Sequence, residues 1–143
     1  MATDTVNIFD EFFTDLPNAE QDLLGNTDTV KVALTNSAPT GTEANWNTTD
    51  FPEPTGSGYT AGGETITYTG TETTGTFTMA LSADVVWTAT ASDWTAFRYA
   101  VFYNSSSTSP TNAAIGWIDY GSSITLSNTE TFTISSGTVL TIS

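Results

Sequence analysis

Apolar residues along this chain change their spacing near residue 29. Before that point, Ile8, Phe9, Phe12, Phe13 and Leu16 recur at three- and four-residue intervals, Asp10, Glu11 and Asp15 fall between them, and Pro17 ends the run. That spacing gathers apolar side chains on one helical face, so it predicts a short amphipathic helix over residues 5–15, with Asp4 or Thr5 as its N-cap. A further helical turn is predicted from Asn18, with Gln21 three residues on and Gly25 as terminator. The apolar face has two readings: it packs on its own domain, or it forms a docking arm for a neighbouring subunit.

From residue 29 the period becomes two. Val30, Val32 and Leu34 alternate with Lys31, Ala33 and Thr35, the pattern of a half-buried strand. Residues 36–63 then lose all periodicity, although they carry Trp46, Phe51, Tyr59 and several prolines and glycines. An irregular stretch of that length is either functional or pinned by its own side chains, and Tyr59 is expected to tuck inward. Further strands are predicted at 64–69, 74–81, 84–89, 95–103, 113–119, 122–127, 130–135 and 138–142, with Gly70, Gly75, Gly121 and Gly137 between them. Residues 97–103 are apolar on both faces and should form a central strand, paired with 113–120 through the polar loop 104–112. The expected fold is therefore all-β: an antiparallel sandwich or barrel of eight or nine short strands (residues 29–143), preceded by a helical segment or arm (residues 1–28).

Composition narrows the chemistry. Threonine fills roughly one position in five, which favours strands, and Trp46, Trp87, Trp94 and Trp117 join eight Phe and five Tyr as core material. The chain has no His and no Cys, and Lys31 and Arg98 are its only basic residues against 16 acids, a formal net charge of -14. Nucleic acids and anionic membrane surfaces are excluded as ligands, since both are bound through Lys and Arg. Nothing in the sequence marks a secretion signal or a membrane span.

Little is left for catalysis. Serine chemistry lacks its histidine, and a lysine variant would have only Lys31, with no nucleophile at a recognisable spacing. A carboxylate pair for glycoside hydrolysis is easy to imagine among 16 acids but no motif specifies it. Calcium would find oxygen ligands, yet no spaced acidic loop of the D-x-[DN]-x-[DN]-G kind occurs. No enzymatic activity, cofactor or metal is assigned. Arg98, set in the most apolar strand, calls for a carboxylate among Asp84, Asp93 and Asp119, and a structural ion pair with Asp119 is expected. Lys31 reads as an exposed edge charge.

Five segments carry a resemblance: 29–39 (TVKVALTNSAP), 56–63 (GSGYTAGG), 83–87 (ADVVW), 97–104 (FRYAVFYN) and 115–121 (IGWIDYG). Their order and spacing resemble small virion structural proteins of tailed bacteriophages, including marine and freshwater phages, over nearly the whole chain. The N-terminal segment, with its several acids, departs from that pattern. The resemblance implies a capsid decoration, or cement, protein on the outer surface of the virion, a homotrimer bound to the major capsid protein, with no catalytic residues. On that implication the capsid-binding face comprises Ile8, Phe9, Phe12, Phe13 and Leu16, with Trp46 and Phe51 as its companion surface. The alternative is a tail- or fibre-associated host-attachment module, in which Trp46, Tyr59 and Trp94 stack on surface glycans.

Overall fold

The computed structural model describes residues 6–18 and 21–143. In chain order the elements are β1 (Asn7–Ile8), α1 (Asp10–Asp15), β2 (Val30–Thr35), β3 (Glu64–Thr65), β4 (Tyr68–Thr73), β5 (Thr76–Leu81), β6 (Val85–Thr88), β7 (Phe97–Thr108), β8 (Thr111–Ile124), β9 (Thr131–Ile134) and β10 (Gly137–Ile142). They form three antiparallel sheets, ordered β1-β8-β7-β2-β3, β10-β5-β4 and β6-β9. The all-β architecture is thus the one the alternation implies.

The five-stranded sheet is buried on both faces. On one, Val30, Val32 and Leu34 join Ala100, Phe102, Ile115 and Ile118, and the two smaller sheets close over them with Met79, Leu81, Trp87, Phe132, Ile134 and Leu140. This is the main core, where each large apolar side chain contributes roughly 1.5–3 kcal/mol on burial. On the other face Ala33, Val101, Tyr103 and Ala114 lie beneath Phe9, Trp46 and Phe51, with Trp117 partly buried at the side. Double coverage explains why β7 reads as apolar in both phases.

Irregular pairing keeps the right residues on each face. Between the pairs Phe102↔Gly116 and Tyr103↔Ala114, β8 carries one extra residue. This bulge shifts the phase, so Ile115 and Ile118, three residues apart, both enter the main core. At Gly116 a Cβ would collide with the carbonyl of Asn7 and lie 2.5 Å from Val6 Cγ1, so the missing side chain lets β1 pair closely there.

Several boundaries differ from expectation. The helix is confined to Asp10–Asp15, because the backbone of residues 7 and 8 is already committed to pairing with Trp117 and Gly116. Phe9 occupies the N-cap position and makes no side-chain cap; Asp4 and Thr5 lie outside the described residues. Among the described residues 21–25 there is a turn and no helix, and Ala19 and Glu20 fall outside them. The strands expected at 113–119 and 122–127 are one strand, β8, which absorbs Gly121 at φ 79° instead of turning. The hairpin β7–β8 forms as expected, but its strands run on to Thr108 and Thr111 and turn at Ser109-Pro110, leaving almost none of the expected loop. Gly70 likewise lies within β4, where a Cβ would strike the Leu23 carbonyl. The described residues 6–18 and 21–28 are not a free arm: Val6, Phe12 and Leu23 belong to the main core and Phe9 to the second.

Candidate interaction surface

α1 divides its apolar residues between core and solvent. Phe9 and Phe12 are fully buried, and so are Trp46 and Phe51 from the long loop; Ile8 is partly buried. These four buried aromatic rings are core residues, which corrects their expected place on a docking face. Phe13 and Leu16 remain on the surface, 50% and 39% exposed. Successive helical residues point about 100° apart, so Phe12 can face inward while Phe13 faces water.

Leu16 opens onto a groove of about 230 Å³ that also has Gln21, Asp22, Leu23, Leu24, Phe77 and Ile142 in its walls. Leu24 is 54% exposed. Phe77 and Ile142 are cross-strand partners on β5 and β10, and Glu72 on β4 sits opposite Phe77, so the three form one row at the end of the three-stranded sheet. The 21–24 wall is held by polar contacts. Asp22 accepts from the Gly25 N–H (3.1 Å) and the Thr27 hydroxyl (2.8 Å), bonds that hold its carboxyl below the usual carboxylate range. Asp28 accepts from the Asp22 N–H (2.6 Å) and from the fully buried Asn104 amide (2.7 Å), which also donates to Gln21 Oε1 (3.1 Å). Asn26 Oδ1 takes the Gly70 N–H at 3.1 Å. Sequence periodicity missed Leu24, Phe77 and Ile142; the cluster Asp22, Asn26 and Asp28, rich in side chains that stabilise turns, was the one available signal.

The long loop is pinned by its own side chains. Trp46 stacks between Phe51 (5.3 Å, 3°) and Tyr103 (5.5 Å, 11°). Tyr59 tucks inward as expected: its hydroxyl accepts from the Leu34 N–H (3.0 Å), beyond the short β3, and donates to Glu53 (2.9 Å). Glu53 also accepts from the Gly62 N–H (2.7 Å), whose carbonyl takes the Tyr103 hydroxyl (2.6 Å). Burial pushes the Tyr59 phenol far above its ordinary value and Tyr103 up to about 12. Trp94 is buried too, donating to the Ser57 carbonyl at 2.8 Å. The rings expected to stack on glycans are therefore spent on packing.

Arg98 pairs with Asp119 of the adjacent strand through two parallel bonds, Nε–Oδ1 2.7 Å and a terminal guanidinium nitrogen to Oδ2 2.8 Å. Of the three candidate carboxylates it takes Asp119, while Asp84 accepts from the Ser136 N–H and Asp93 from the Asn128 N–H. Both partners are 35% exposed, so the expected ion pair is a surface clamp even though its strand is the most apolar. The paired hydrogen bonds hold Asp119 below and Arg98 above their ordinary values. Lys31 is half-buried between β7 and β3, not on an open edge, and its Nζ lies beside Gly62.

Among the described residues no group of three or more His, Cys, Asp or Glu side chains is placed to hold a metal ion, and no helix is long and apolar enough to cross a membrane. No family model, curated protein or solved structure matches the chain.

Proposed function

We propose that this chain is a structural component of a bacteriophage particle that decorates the capsid and stabilises it by adhering to major capsid protein subunits. The observation that carries this reading is the apolar surface groove lined by Leu16, Leu24, Phe77 and Ile142, on a sandwich whose sequence lacks His and Cys. A part built this way acts by shape and contact. A protein that binds only the assembled lattice stabilises that state by mass action, and many symmetry-related copies let each contact be modest. The acidic surface keeps unassembled copies soluble. On this reading the protein sits on the outer capsid surface as a homotrimer, and it needs neither cofactor nor catalytic group. Cryo-EM of purified particles tests the reading: density over the shell that fits this sandwich supports it, whereas density confined to the tail tip, or absence of the chain from particles, overturns it.

A further inference from the structure

Three features of the groove constrain what fills it. Its walls are apolar, with Leu16 and Leu24 on one side and Phe77 and Ile142 on the other. Its surroundings are acidic: Asp22 lines it and Glu72 faces Phe77 across the strand pair. Neither basic residue offsets these charges, since Arg98 is clamped by Asp119 and Lys31 lies beside Gly62. Finally, Gln21 lines the groove, is only 7% exposed, and its Nε2 has no hydrogen-bond partner among the described residues. A buried amide donor left this way favours any ligand that brings an acceptor.

A second copy seated groove to groove fits poorly, because it brings the same Asp22 and Glu72 to the contact. We infer that the groove binds a cationic apolar segment of another protein. One or two large aliphatic or aromatic side chains seat among Leu16, Leu24 and Phe77, a carbonyl of the segment accepts from Gln21 Nε2, which is sealed from solvent and must turn outward to reach it, and flanking Lys or Arg side chains meet Asp22 and Glu72. The inference rests on reading the chain as an adhesive structural protein, and it identifies the chemistry of the surface to which it adheres.

The test is calorimetric titration of the full chain with three synthetic peptides: an amphipathic Leu/Lys peptide, the same peptide with Glu for Lys, and the same with Ser for Leu. The Leu/Lys peptide is expected to bind, the other two at least tenfold more weakly, and raising the salt from about 50 mM to about 0.5 M should weaken binding several-fold. Leu24→Glu and Gln21→Glu discriminate further, because each adds negative charge yet each should lower affinity at least tenfold. Glu at position 21 keeps the oxygen that Asn104 uses and removes the donor. Unchanged or tighter binding by these variants overturns the inference, since it would show diffuse attraction by the whole surface. Leu24 is exposed, so Leu24→Glu decides alone if Gln21→Glu does not fold. Self-association lost in Leu24→Glu, or tighter peptide binding after removal of residues 1–5, would also overturn it by making a second copy or the chain's own terminus the occupant. Failure of the peptide leaves the particle experiment untouched, and absence from particles leaves the peptide result standing.

Discussion

The two faces of the five-stranded sheet are buried by different means. The main core is closed by sheets, with interdigitating aliphatic residues and the Trp87–Phe132–Phe97 rings supplied by regular alternation. The second face is closed by Phe9 and by a loop without alternation, in which Trp46 stacks between Phe51 and Tyr103. The loop backbone is tied to the sheet by hydrogen bonds that Tyr103 donates to Gly62, Thr35 to Pro52 and Leu34 to Tyr59, which in turn donates to Glu53. The first kind of closure distributes its stability over many interchangeable contacts. The second concentrates it in a few polar ones, which makes it specific and more easily undone.

That contrast can be broken at its strongest point first. Trp87→Ala removes a ring from the main core and should cost ~3–5 kcal/mol, lowering the urea midpoint of the whole domain in one transition. Gly63→Ala should cost ~1–3 kcal/mol or more, because Gly63 has φ 71° and a Cβ there collides with the Val32 carbonyl; a shift in melting temperature reads it. Tyr59→Phe keeps the ring but strands the Leu34 N–H and takes one of two donors from Glu53, for ~1–3 kcal/mol, with faster amide exchange in the loop and unchanged protection in β6 and β9.

Alkali sharpens the comparison. An unfolded tyrosine ionises near pH 10, whereas Tyr103 in the fold does so at about 12 and Tyr59 higher still. Between these values the unfolded chain holds fewer protons, so the stabilisation is complete below pH of about 10 and is lost as pH rises through the folded values. Stability against urea should therefore fall from pH of about 10 upward, and Tyr103→Phe should flatten part of that fall. The smallest effect belongs to Arg98→Ala: the exposed clamp to Asp119 should leave the melting temperature nearly unchanged in high salt.

Strand positions were legible wherever one face alternates, as at Val30-Val32-Leu34, Val85-Trp87 and Phe132-Ile134. The second core was not, because Trp46 and Phe51 reach the sheet from irregular backbone and leave no period to read. Glycines were uneven guides. Gly75 marks the β4–β5 turn, but Gly70 and Gly121 lie inside strands, where one admits the Leu23 backbone and the other adopts a positive φ. Part of the exposed apolar surface was visible, since helical spacing singled out Phe13 and Leu16. It could not separate them from Phe9 and Phe12, because the sheet, not the helix, decides which side is inside. Leu24, Phe77 and Ile142 meet only through tertiary packing. The Arg98–Asp119 pair was legible because only carboxylates complement a guanidinium and β7 pairs with β8.

Gly116 carries one last implication. The close pairing of β1 with β8 at this residue fixes where α1 begins, and α1 in turn delivers Leu16 to the groove. A lone methyl group added deep in the hairpin would therefore lever the amino-terminal segment off its seat and deform a surface it never touches. Loss of adhesion without loss of the sandwich would be the signature of that remote lesion.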